Sequence, residues 1–177
     1  MKYIIILIAM MSLLTGCVTA LTAEGTMQPG AYATPEKVFS GVYNGDGMRL
    51  DIFGNAKYTF KSTLKAYSEN GAIFMQETTV DDAGAQTTTT YRFMQKTDGS
   101  YSCVDINNIG SCSLTRAGDS IVLKNWVFER GRSDSMNINV QSVYRLLPDG
   151  KLIKRSSLNR FMFFFDEEEI TTYQKEL

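Results

Sequence analysis

The densest set of acid–base or metal-ligating side chains is the acidic run Asp166-Glu167-Glu168-Glu169. Oxygen ligands of this kind suit Ca²⁺. Consecutive carboxylates on a strand point to opposite faces, however, and no EF-hand spacing is present. The run therefore reads as a solvated turn after the apolar stretch Phe161 to Phe165. Ten Asp and nine Glu offer many carboxylate pairs for glycoside hydrolysis, but spacing singles out none of them. Arg130-Gly131-Arg132 and Arg155 could contact anions, but turn and strand-face positions are the preferred reading. There is no histidine. Its absence removes Ser-His-Asp triads, Cys-His dyads, the usual zinc sites and haem ligation by His. No metal or cofactor is expected, and the chain is expected not to be an enzyme.

One domain and a targeting segment fit the 177 residues. With 44% hydrophobic and 21% charged residues the composition is globular. Eighteen Lys+Arg against 19 Asp+Glu exclude a strongly basic nucleic-acid binder. Met1-Lys2-Tyr3 supplies one positive charge, and Ile4 to Leu14 is apolar apart from Ser12. Eleven residues span about 16 Å in a helix, roughly half the hydrocarbon core, so the run is too short to cross a membrane. A charged start and a short apolar core make a secretory signal peptide.

The next residues are Leu14-Thr15-Gly16-Cys17. They resemble the lipobox of bacterial lipoproteins: Leu, a small residue, Gly or Ala, then Cys. The resemblance implies a signal peptide over residues 1–16 and an acylated Cys17 as the first residue of the mature chain. Acyl chains at Cys17 would hold the protein on a membrane, each buried methylene adding about 0.8 kcal/mol. Val18, rather than Asp, implies the outer membrane, facing the periplasm, in preference to the inner one. Residues 17–35 then form the lipidated Cys and a flexible tether rich in Thr, Ala and Gly, with a reach of roughly 20–25 Å.

Cys103 and Cys112 remain, and an even pair in an exported domain reads as a disulfide. If Asn107-Asn108 make a two-residue hairpin turn, Ile106 faces Ile109 and counting back brings Cys103 opposite Cys112. Such a bridge would contribute roughly 2.5–3 kcal/mol in the chain-entropy model.

Residues 36–177 are punctuated by turn signals such as Asn44-Gly45-Asp46-Gly47, Gly54-Asn55, Glu69-Asn70-Gly71, Asp98-Gly99 and Pro148-Asp149-Gly150. The runs between them are rich in Val, Ile, Thr, Tyr and Phe. Ten or so short strands of this kind make an all-β antiparallel meander that closes into a barrel. Only Thr34 to Phe39 suits a helical turn, with Thr34 as cap and Pro35 at the first position. Between Lys57 and Ala66 the alternation places Tyr58, Phe60, Leu64 and Ala66 on one face and Lys57, Lys61 and Lys65 on the other. A three-residue turn at 53–55 would set Leu50 opposite Tyr58, Met48 opposite Phe60 and Asp51 beside Lys57. The lysine row reads as a solvated face that resists edge aggregation. Core packing is expected for Trp126 and Phe128.

This organisation after a lipobox, with Leu147-Pro148-Asp149-Gly150-Lys151-Leu152-Ile153 and Thr171-Thr172-Tyr173 near the C-terminus, resembles the lipocalin-like bacterial lipoproteins. Phe39-Ser40-Gly41-Val42-Tyr43 stands where lipocalins carry a Gly-x-Trp signature. The resemblance implies a barrel that binds an apolar or amphipathic small molecule or lipid, with Tyr58, Phe60, Phe74, Tyr91, Phe93 and Tyr144 lining its interior. Eight-stranded barrels can enclose one small ligand, whereas smaller or flatter ones fill with side chains. A solid interior would leave envelope assembly or protein–protein contact as the function.

Overall fold

The computed structural model describes residues 33–107, 111–128, 137–159 and 166–176. A single-turn helix, α1 (Pro35–Val38), precedes ten strands. They are β1 (Gly41–Leu50), β2 (Ala56–Glu69), β3 (Ala72–Asp81), β4 (Gln86–Gln95), β5 (Tyr101–Asp105), β6 (Ser111–Ala117), β7 (Ser120–Phe128), β8 (Asn137–Leu146), β9 (Leu152–Asn159) and β10 (Asp166–Lys175). Each pairs antiparallel with its sequence neighbours, and β1 pairs with β10, so the meander closes on itself and leaves no edge.

Four hairpins share one turn. At 51–55, 81–85, 96–100 and 147–151 the first residue donates its N–H to the carbonyl of the fifth, at 2.8–3.1 Å. The fourth residue is always glycine (Gly54, Gly84, Gly99, Gly150), with φ between 78° and 83°. A type I turn followed by a left-handed residue is the usual three-residue hairpin loop, and glycine enters that region without steric cost. Asp51 reinforces the first copy: its Oδ1 accepts from the N–H groups of Phe53 and Asn55, both at 2.9 Å.

This turn shifts the expected register by one. The loop lies at 52–54, not 53–55, and an irregularity between Arg49 and Leu50 follows it. Arg49 therefore faces Tyr58, Met48 faces Thr59 and Gly47 faces Phe60. Met48 turns outward and Arg49 inward. The lysine row is on the outer wall as expected, with Lys61 paired to Asp46 at 2.6 Å. Trp126 also lies on the outer wall, 43% exposed, and is not in the core. The side chain of Phe128 lies outside the described residues.

α1 closes one end of the barrel. Thr34 precedes it with extended backbone and Pro35 opens it, as the sequence leads one to expect. Ala33 already donates its N–H to Gly118 at 2.9 Å, so the folded body takes in the last residues assigned to the tether. Phe39, directly after α1, enters the lumen, stacking on Phe93 at 5.8 Å and meeting Tyr144 edge-on at 5.0 Å. Around them Tyr43, Leu64, Met75, Ile121, Leu123 and Leu152 are all buried. A ten-stranded lumen is wide, and large rings fill it where Val and Leu would leave voids. Strand glycines make room for two of these rings. A Cβ on Gly45 would collide with Tyr173, and one on Gly47 with Phe60.

Candidate functional site

Polar side chains take over in the half of the lumen away from α1. On β3 the inward face runs Ile73, Met75, Glu77, Thr79, and on β9 it runs Leu152, Lys154, Ser156. Glu77 and Lys154 face each other across the barrel, with both side chains less than 10% exposed. The Lys154 ammonium donates to both Glu77 oxygens, at 2.7 and 2.8 Å. Tyr173 donates to Oε1 at 2.5 Å, Ser62 to the same oxygen at 3.3 Å, and Tyr144 to Oε2 at 3.5 Å. Burial alone would push the Glu77 carboxyl up; the Lys154 charge and the donors outweigh it and hold the group below the ordinary carboxylate value. Burial would likewise lower Lys154, and the Glu77 charge overrides it and raises the ammonium. Tyr144 and Tyr173 are kept neutral, by burial first and then by the adjacent Glu77 charge. Beside them Asn125 donates to the Tyr91 hydroxyl at 2.7 Å, and Ser142 and Ser156 share a hydrogen bond of 2.8 Å.

A second charged group stands nearer the far end, where β10, β1 and β2 meet. Arg49 reaches Glu167 through Nε and Nη2, each at 2.6 Å, and the Tyr58 hydroxyl through Nη1 at 2.9 Å. Lys57 also pairs with Glu167, at 2.5 Å, whereas Glu169 receives only a 3.4 Å contact from Arg49. Glu168 points to the other face and pairs with Arg155. The acidic run is thus the start of β10 and not a solvated turn. Neighbouring strands carry a cation for each face, and these pairs make a strand of it.

Two concavities adjoin this group. One is a pocket of about 100 Å³ between Tyr58, Phe60, Thr79, Asp81, Thr87 and Glu169, all at inward-facing positions. The other is a groove of about 540 Å³ on the outer wall, with Met48, Val80 and Ile170 as its apolar lining and Lys61, Asp82 and Thr172 around them. Both are bounded by Phe60 and Asp81. Among the described residues, no three His, Cys, Asp or Glu side chains lie close enough to hold a metal ion.

The six expected ligand residues divide. Tyr58 and Phe60 border the pocket. Tyr91, Phe93 and Tyr144 are inside but packed, Phe93 being fully buried between Phe39 and Tyr91. Phe74 is on the outer wall, its ring stacked on Tyr67 at 5.2 Å, because Ile73 and Met75 take the inward positions of β3. Cys103 and Cys112 are bonded, with Cα atoms 5.2 Å apart and the expected register. Asn108 and Ile109, on which that expectation turned, lie outside the described residues, as does Cys17. Sequence reasoning missed Glu77, Lys154 and Arg49, and it gave Glu167 and Tyr173 no place inside the barrel. Their signal was a charge or hydroxyl interrupting an alternating apolar face.

Residues 11–171 match the family described as "Protein of unknown function (DUF3833)". The chain belongs to that family. The matched span runs from the apolar N-terminal stretch, through Cys17 and the first nine strands, into β10. No curated protein matches the chain. In this DUF3833 chain, therefore, the site has to be read from its own geometry.

Proposed function

We propose that this is a lipid-anchored protein of the bacterial cell envelope, held by acylated Cys17 on the outer membrane and facing the periplasm. Its barrel binds an amphipathic ligand without transforming it. The observation that carries this reading is that the two concavities share Phe60 and Asp81 in their linings. An apolar chain fits the groove over Met48, Val80 and Ile170, and a compact polar group fits the pocket behind it. A volume of 540 Å³ is in the range of small-molecule sites, which are mostly apolar with a few placed polar groups. The packed half of the lumen has no part in binding and serves to hold the strands. For the anchor, the support is the Leu14-Thr15-Gly16-Cys17 sequence and its place just ahead of a folded body that begins by Ala33.

Organic extracts of the full-length protein, purified gently from membranes, provide the test. Mass spectrometry should find one amphiphile near one molecule per chain. Met48 is 43% exposed, so Met48→Asp should leave the melting temperature within about 2 °C while a charge in the groove removes most of the ligand. Extracts that match between wild type and variant would defeat the reading. Labelled palmitate should enter the wild-type chain and not Cys17→Ser; labelling that survives the change removes the anchor. The packing of Phe39, Phe93 and Tyr144 favours a second reading, a solid barrel that serves envelope assembly or protein contact. That reading predicts no bound amphiphile at all.

A further inference from the structure

We infer that the β1–β2 hairpin tip and the outer-wall strip behind it rest on the bilayer that holds Cys17, with Phe53 dipping into the lipid; this rests on the lipid-anchor reading above. Phe53 is 82% exposed and Ile52 beside it 44%. Met48 and Leu50 occupy the outward positions of β1 that lead up to them. Ile170 stands opposite Met48 on β10, and Val80 lines the same groove from β3. Single apolar side chains on a surface need no partner, whereas a contiguous set marks a place where something docks. The tip is also held out. Asp51 accepts from the N–H groups of Phe53, Gly54 and Asn55, each at 2.9 Å, so Phe53 cannot fold back over the barrel without breaking the turn.

What covers the strip follows from the tether. Residues 18–32 separate Cys17 from Ala33, which is already hydrogen-bonded to the folded body at the α1 end. A segment of that length extends to at most about 50 Å. A ten-residue strand such as β1 is about 33 Å long, and shorter in projection because barrel strands tilt. The reach of the tether thus exceeds the height of the barrel, and the far end can lie against the same bilayer. Amphipathic surfaces bury their apolar side chains roughly 5–10 Å deep, at the boundary of headgroups and acyl chains. The neighbouring charges suit that depth. Lys61 is paired with Asp46 at 2.6 Å and Lys57 with Glu167 at 2.5 Å, and Oδ1 of Asp51 is engaged in the turn. The groove over Met48, Val80 and Ile170 then opens onto lipid, where an amphiphile would enter it.

The test measures fluorescence quenching by lipid. Full-length protein purified from membranes is placed in phosphatidylcholine nanodiscs whose acyl chains are either plain or brominated. Trp126, the single tryptophan, is on the outer wall of β7, opposite β2 in the ring of ten strands, and serves as the reference. Phe53 and Met48 are both exposed, so Phe53→Trp and Met48→Trp, each in a Trp126→Phe chain, will fold. Brominated lipid should cut the emission of each new indole at least about twofold and that of Trp126 in the wild type by less than about a tenth. Either new indole unquenched, or both quenched no more than Trp126, would overturn the membrane contact while the anchor reading stands. Protein that does not stay with the nanodiscs on gel filtration would overturn the anchor as well.

Discussion

Lys154→Met is expected to lower the unfolding free energy by about 3–5 kcal/mol, because it strands a carboxylate in the barrel's interior. For a chain of this size that is a fall in melting temperature on the order of 10 °C. Glu77→Gln in the same chain should restore about 1–3 kcal/mol, since the amide no longer needs a counter-charge yet still accepts from Tyr173. Thermal unfolding of the two single variants and the double variant closes the cycle. Wild-type stability should also carry the pair's pH signature. Glu77 sits below its unfolded value near 4.5, so its contribution is present above that pH and is lost as pH falls through the folded value. Lys154, raised above 10.5, contributes below that pH and loses its contribution as pH rises through its own folded value. Stability should therefore form a plateau between about pH 5 and 10. In Glu77→Gln the acid limb should flatten. A single variant as stable as wild type would show that the pair is not buried.

Phe93→Ala should cost about 3–5 kcal/mol, the range for a large aromatic removed from a packed core. Phe93 is fully buried and stacks on both Phe39 and Tyr91, so the change opens a void between α1 and the strands. Denaturant unfolding should show a lower midpoint at nearly constant slope. Amphiphile affinity of the folded fraction should stay within about twofold, because the ring is remote from the pocket residues Tyr58 and Phe60. The sequence marks Phe93 for ligand contact; a loss of binding at unchanged stability would restore that role.

The architecture was legible because alternation and turn chemistry are local. Tyr58, Phe60, Leu64 and Ala66 declare an inward face on their own, and glycine after Asp or near it declares a turn. The pairing of Cys103 with Cys112 was legible too, since two short strands and their turn leave little freedom. What failed depended on a single residue of register. Reading the β1–β2 loop at 53–55 put Met48 inside and hid Arg49, when Asp51 and Gly54 fix the loop one residue earlier. On β3, Ile73, Phe74 and Met75 are consecutive and apolar, so sequence alone could not tell that Phe74 faces out. The partnership of Glu77 with Lys154 was beyond reach for a different reason. They belong to strands that never pair and meet only across a closed lumen, a distance that no local pattern encodes.

The claim that an amphiphile occupies the far-end pocket and its groove, not the aromatic interior, is tested most directly by intermolecular NOEs. The full-length protein in nanodiscs, with labelled Tyr, Phe, Ile and Met side chains, would be saturated with octanol, whose neutral hydroxyl is compact enough for the pocket of about 100 Å³. The methylene beside the hydroxyl should give NOEs to Tyr58 and Phe60, and the chain's terminal methyl to Met48 and Ile170. NOEs to Phe93 and Tyr144 instead, or none at saturation, would contradict it.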